Sequence, residues 1–285
     1  MPIFPRLAAI YKSRGIDLVT GLNPALFDNY PLAAFTWFVK DGESLTNGLG
    51  IALSEIYFLE CLFAHYRPRR LFAIGNAIGW STLALGLLNP EARVLAIDAG
   101  FDRNAADGAA FTNRVAQEEG LPVEVVVGKS PEAVPAILRQ HDMIPVDFAF
   151  IDGLHSIEQV QLDFAAIRAH ASPDCLYLFH DVANFGLQPA IDRIAAQNGL
   201  AGQVLHGTTS GMAIVGDPAQ APAGAALSDI APFAASADAL ALVRDGAWRY
   251  RHRHLGRWRR SLQKRLSGRA AKPPASPLYS ARLPE

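Results

Sequence analysis

Two acid–imidazole pairs stand out in the sequence, Asp152-Gly153-Leu154-His155 and His180-Asp181. Each follows a short apolar run, Phe148 to Ile151 and Leu176 to Phe179. Carboxylates with imidazoles nearby suit two tasks. They can hold a hard divalent cation such as Mg²⁺ or Mn²⁺ while leaving positions open to water. They can also move a proton, because an imidazole with its ordinary pKa of about 6.5 accepts one near neutral pH. We therefore expect His155 and Asp152 to be catalytic, with His155 the general base. Asp152, Asp181 and His180 are the expected metal ligands. Blander roles are a helix N-terminal hydrogen-bonding residue for His155 and a core histidine for His180. Asp163, further along the same helix, is expected to serve packing or capping.

A second constellation is Gly75-Asn76-Ala77-Ile78-Gly79-Trp80-Ser81, between the run Leu71 to Ile74 and a helical stretch. Gly75 and Gly79 let the backbone turn tightly and approach a ligand, and the next helix aims its N-terminus at it. Asp98 ends the following run, 23 residues after Gly75. A carboxylate there can accept ribose hydroxyls, so the ligand should contain adenosine. A dinucleotide site wants G-x-G-x-x-G, but Ala77 and Trp80 occupy two of those positions. S-adenosylmethionine carries no phosphate and fits better. Its expected contacts are Gly75, Asn76, Gly79, Trp80, Ser81, Asp98, Gly128 and Asp152.

The elements that must position these residues are legible. Leu71 to Ile74, Val94 to Ile97, Val123 to Val127, Phe148 to Ile151 and Leu176 to Phe179 alternate with helical stretches. Four of the five are apolar throughout, as in strands covered on both faces. Two more runs, Gln203 to His206 and Met212 to Val215, flank a turn at 207–211 and predict an antiparallel hairpin. The fold class is α/β, with a doubly wound, mostly parallel, seven-stranded sheet. Glycines, acids and histidines gather at the carboxyl ends of its strands, where such sheets bind ligands.

Residues 1–50 are expected to form a helical cap, 51–216 the main domain and 217–243 an Ala/Pro-rich linker. Ten of the chain's 26 Lys and Arg residues fall in 244–269, against one of its 27 acids. Trp248, Leu255, Trp258, Leu262 and Leu266 recur there at helical spacing. Residues 246–266 therefore read as an amphipathic helix. It could lie on an anionic membrane surface, pack on the acidic body, or meet a second subunit in a homo-oligomer. Residues 270–285, with four prolines, are expected to be disordered.

The chain of 285 residues is 50% hydrophobic with a net charge of −1. That balance argues against nucleic acid as a partner. No apolar run is long enough to span a bilayer, and the N-terminus lacks the order of a secretory signal. Cys61 and Cys175 show no metal spacing and are expected to be reduced. The expected location is cytoplasmic, with an optional peripheral contact at the inner face of the membrane.

Residues 73–85, Ala-Ile-Gly-Asn-Ala-Ile-Gly-Trp-Ser-Thr-Leu-Ala-Leu, resemble the first motif of class I S-adenosylmethionine-dependent methyltransferases. Phe150-Ile151-Asp152-Gly153-Leu154-His155-Ser156 with Asp163, and Phe179-His180-Asp181-Val182, resemble further hallmarks of a bacterial branch of that family. The turn Thr209-Ser210-Gly211 fits too, and the resemblance covers roughly residues 50–216. It implies a Rossmann-like methyltransferase fold and O-methylation of a small hydroxylated acceptor such as a sugar or glycoconjugate. In some members it also implies a divalent metal. The histidine of the second motif, here His155, would be the base. Ala73 departs from the pattern, standing where the family has Glu or Asp, as does Ala77 in place of a glycine. Ala73 favours the alternative of a catalytically inert cofactor-binding or scaffold protein, and the intact Asp98, Asp152, His155 and Asp181 speak against it.

Overall fold

The computed structural model describes residues 2–100, 105–217 and 229–252. The five runs become parallel strands: β4 (Arg70–Ile74), β5 (Arg93–Asp98), β6 (Val123–Val127), β7 (Val146–Ile151) and β8 (Ala171–Phe179). β9 (Ala201–Leu205) and β10 (Met212–Gly216) complete a seven-stranded sheet in the order β6-β5-β4-β7-β8-β10-β9. β10 runs antiparallel to both β8 and β9.

Helices cover both faces: α2 (Leu53–His65), α3 (Trp80–Leu88), α4 (Ala105–Glu119), α5 (Val134–Gln140), α6 (Ile157–Arg168) and α7 (Gln188–Asn198). Strand side chains alternate between two cores. Leu71, Ala73, Phe148, Phe150, Leu176 and Leu178 join the core beneath α2 and α3. Phe72, Ile74, Ala149, Ile151, Tyr177 and Phe179 join the one beneath α5, α6 and α7.

Strand order reverses between β4 and β7, the switch point where such sheets open a crevice. The ladder fixes the tips on either side of it. The Asp152 N–H donates to the Ile74 carbonyl at 2.9 Å, and the His180 N–H to the Ile151 carbonyl at 3.0 Å. Gly75 donates to Ile97, and Gly128 to Asp98, each at 2.9 Å. Five neighbouring tips are thereby held in register.

The N-terminal segment is not the helical cap expected for residues 1–50. One helix, α1 (Phe4–Lys12), precedes a separate antiparallel sheet of β1 (Asp17–Val19), β2 (Trp37–Lys40) and β3 (Glu43–Ser44). These strands are too short to announce themselves by alternation. Nor is the segment an appendage. Leu7, Tyr11 and Phe38 are buried with Trp80 and Leu83 in the first core, and the Tyr11 hydroxyl donates to the Ile78 carbonyl at 2.8 Å.

The chain divides into two compact units, Met1–Ala234 and Ala235–Glu285. Ile230 and Phe233 belong to the first core, so the first unit extends past residue 216. In the second unit, α8 (Ala237–Arg251) is helical. That helix starts inside the stretch read as a linker, because Ala and Leu from 237 to 243 favour helix. Most of the amphipathic helix expected at 246–266, and the tail at 270–285, lie outside the described residues. Among the described residues no helix is long and apolar enough to cross a membrane.

Candidate active site

A cavity of about 730 Å³ opens at the switch point, within the range typical of small-ligand sites. Its wall includes Gly75, Asn76, Trp80, Ser81, Asp98, Gly128, Asp152, His155, His180 and Asp181. All these expected contacts therefore share one space. Gly79 sits at the N-cap of α3 with φ of +85°.

Gly75 has φ of +94°, and a Cβ there would lie 2.1 Å from the Asp152 carbonyl oxygen. Only glycine satisfies both the backbone angle and the contact. Ala77, with φ of +47°, holds a left-handed conformation without that freedom.

Two expected contacts are used differently from the sequence reading. The Asp98 carboxylate is spent largely on the protein itself. Its Oδ2 accepts from the Asn76 and Ala77 N–H groups at 2.9 and 3.0 Å, and its Oδ1 accepts from Gly100 at 2.9 Å. A carboxylate offers about four acceptor positions. Among the described residues one is left for a ribose hydroxyl, not the two expected. Trp80 touches the cavity but is only 2% exposed. Its ring packs against Phe4, Tyr11 and Phe38, and its indole N–H donates to the Ile51 carbonyl at 3.0 Å. It anchors the N-terminal segment to the glycine loop.

Asp152, His155, His180 and Asp181 each present one ligand atom, all within 4.8 Å of one another. His155 Nε2 lies 3.3 Å from Asp152 Oδ1 and 3.6 Å from Asp181 Oδ2. His180 Nδ1 lies 3.0 Å from Asp152 Oδ1 and 3.3 Å from Asp181 Oδ2. Neither contact of His180 Nδ1 has hydrogen-bond geometry, so this buried nitrogen has no hydrogen-bond partner. Two carboxylates, a second imidazole and that orphaned nitrogen are a donor set that fits a divalent cation.

Burial opposes ionisation of Asp152, but the neighbouring His180 and His155 overcome it and hold its carboxyl well below the usual range. Burial likewise pushes His180 down. The Asp152 and Glu55 carboxylates outweigh that and carry its pKa well above the ordinary histidine value.

Local sequence explains the orientations. Ser156 supplies the N-cap of α6, its hydroxyl accepting from the Gln159 N–H. That leaves His155 free to turn into the cavity, where Phe185 lies against its ring at 4.6 Å. Asn184 donates to Asp181 Oδ1 at 2.8 Å. Asp163 is 1% exposed, accepting from Ser130 at 2.5 Å and Gln159 at 2.7 Å beside the Gly128 tip. Burial raises its pKa against those two hydrogen bonds. It lines the cavity as well as packing. Ala73 is fully buried and pairs with Ala96 and Phe150 in the sheet.

Glu55 escaped the sequence reading. It is fully buried on α2, and its Oε2 lies 3.2 Å from His180 Nε2. A lone acid on the face shared with Leu59 and Leu62, inside an apolar run, is the signal that could have revealed it.

Residues 72–182 match a family model described as a methyltransferase domain. Over 89 residues the chain is 34% identical to catechol O-methyltransferase from Sus scrofa, a stretch covering 30% of this chain and 45% of that protein. The chain thus spans less than half the length of this curated relative. Two solved structures are similar at low identity. The O-methyltransferase from Bacillus cereus in complex with SAH gives a TM-score of 0.44 at 18% identity, covering 57% of this chain and 78% of the other. The MycE methyltransferase from the mycinamycin biosynthetic pathway, in complex with Mg and SAH, gives 0.41 at 19%, covering 56% and 48%. Likenesses this distant leave function to be argued from the site.

Proposed function

We propose that this chain, whose residues 72–182 match a methyltransferase-domain model, is a class I S-adenosylmethionine-dependent methyltransferase that moves the donor's methyl group to an oxygen of a small hydroxylated acceptor. One observation carries the reading. A glycine cradle with its carboxylate and a four-membered acid–imidazole cluster line the same cavity. In the reaction the acceptor oxygen bonds to the methyl carbon as the carbon–sulfur bond breaks. The electron pair stays on sulfur, and the acceptor's proton must leave. The chain's contribution is alignment and a place for that proton.

His155, its ring set beside Asp152 and Asp181, is the side chain that takes the proton. Phe185 fixes the plane of its ring. Asp152, Asp181 and His180 are the residues that would hold a divalent cation, which when bound lowers the acceptor hydroxyl's pKa. The glycine loop and Asp98 hold the adenosine end of the donor. The outer wall is apolar: Leu32, Phe35, Leu154 and Phe185 line it, with Leu154 70% and Phe185 58% exposed. An acceptor with an apolar face beside its hydroxyl suits that wall. The C–H face of a sugar ring meets the requirement, so a glycoconjugate remains the proposed class.

Calorimetry with S-adenosylmethionine tests the donor, and SAH formation against a panel of sugar-bearing and phenolic alcohols tests the chemistry. His155→Ala should cut turnover by roughly 10²–10⁴-fold with donor affinity nearly unchanged. Absence of binding at millimolar donor would favour an inert protein of the same fold. Full activity in His155→Ala would remove the base.

A further inference from the structure

Glu55 is a carboxylate with no exposure to water, and such a group costs several kcal/mol to bury unless its oxygens are satisfied. Its Oε1 accepts from the Ser210 N–H at 2.8 Å, and its Oε2 accepts from the Ala52 N–H at 2.8 Å. Capping α2 would account for the Ala52 bond alone. The third contact, from Oε2 to His180 Nε2 at 3.2 Å, joins it to the acid–imidazole cluster. Phe35 and Phe150 stand edge-on to the His180 ring, each at 6.2 Å. The ring therefore sits between an apolar wall and Glu55.

We propose that Glu55 is the positioning residue of His180: it holds the ring proton on Nε2 and so turns the Nδ1 lone pair towards Asp152 and Asp181 as a cation ligand. The proposal rests on the cluster being a cation site. The reasoning is one of tautomers. A neutral imidazole carries one proton. A carboxylate within reach of Nε2 fixes that proton there, because the acceptor cannot share a contact with a lone pair. A cation held by Asp152 and Asp181 takes the place of the proton on Nδ1, which lies 3.0 and 3.3 Å from them, and the one proton left is the one that Glu55 holds on Nε2. Glu55 also ties the ring to two distant segments, through Ser210 in the turn before β10 and Ala52 before α2. Orientation of the ligand thus depends on the docking of α2, not on β8 alone.

The test is Mn²⁺ binding to the full chain, followed by the electron paramagnetic resonance signal of the free ion, without donor or acceptor. Wild type should bind. Glu55→Gln keeps size and one acceptor oxygen, and should bind roughly 10- to 100-fold more weakly. Ser54→Ala removes the neighbouring 2.7 Å tie to Thr209 at the same junction and should leave Mn²⁺ affinity unchanged. Equal affinity in Glu55→Gln and wild type overturns the proposal. Equal losses in Glu55→Gln and Ser54→Ala overturn it too, since the junction would then act without the carboxylate. No binding by wild type at millimolar Mn²⁺ refutes the cation site itself. A measurement on wild type needs no variant: long-range ¹H–¹⁵N correlation with Zn²⁺ as a diamagnetic stand-in. It should find the His180 proton on Nε2, and a proton on Nδ1 overturns the assignment.

Discussion

Asp98→Asn separates two roles of one carboxylate. In the wild type three backbone N–H groups donate to it, two on Oδ2 and one on Oδ1. Asparagine has one carbonyl oxygen. If it takes the place of Oδ2, its NH₂ faces the Gly100 N–H. If it takes the place of Oδ1, its NH₂ faces those of Asn76 and Ala77. Either way at least one donor meets a donor, and the remaining bonds lose charge assistance. Hydrogen bonds to charged groups contribute roughly 1.5–3 kcal/mol each. Asp98 is partly exposed, so solvent screening reduces the sum, and we expect a net loss of about 2 kcal/mol. For a domain of this size that lowers the melting temperature by roughly 4–8 °C. The remaining acceptor position on Oδ1 serves the ribose, so donor affinity should also fall roughly 10- to 100-fold, which is 1.4 kcal/mol per decade. Differential scanning calorimetry of the ligand-free protein reads the first effect, and titration with S-adenosylmethionine the second. Lower stability with unchanged affinity would make Asp98 a loop cap and refute its contact with ribose. No change in either would refute the hydrogen-bond accounting itself.

Gly75→Ala should destabilise by roughly 3 kcal/mol or more, since it combines a disfavoured φ with a backbone clash against Asp152. Gly199→Ala, at φ of +64° with nothing within 4 Å of the added carbon, bears only the backbone penalty of about 1 kcal/mol; equal melting temperatures for the two variants would refute the clash. In chelator, stability should decline as pH rises above about 6.5. There the unfolded chain releases the His180 proton while the folded state, whose pKa is raised, retains it. The slope is up to about 1.4 kcal/mol per pH unit until the folded pKa is passed. Asp152 acts in the opposite sense, its lowered pKa adding stability that is lost only as pH falls below the usual carboxylate range. Thermal melts from pH 6 to 9 check this, and a profile that rises with pH, or is unchanged in His180→Gln, would contradict it.

The strands bearing the site were legible because β4, β5, β7 and β8 are buried on both faces. Their apolar runs stop where Gly75, Asp98, Asp152 and His180 begin. The use of each side chain was less legible. Nothing local says that Asp98 will be engaged by the N–H groups of residues 76 and 77, because that pairing exists only once β4 and β5 lie side by side. Trp80 reads as a position in a ligand loop, and only the arrival of Tyr11 and Phe38 from the N-terminus makes it an anchor. Glu55 is separated by 125 residues from His180, a distance that no spacing rule covers. The short strands β1 to β3 give too few alternations for periodicity to register.

The packing of Tyr11 and Phe38 on Trp80 also has a consequence for synthesis. The ribosome makes these aromatic residues well before the partners that bury them, and Phe38 precedes Trp80 by 42 residues. At 5–20 residues per second, that is roughly 2–8 s during which Phe38 waits for its partner. The Ile78 carbonyl that receives the Tyr11 hydroxyl is equally late. The N-terminal segment therefore completes its packing after the β4–α3 unit has emerged, reversing the usual order in which early residues fold first. Over that interval the nascent chain displays Tyr11 and Phe38 to whatever holds apolar segments at the ribosome.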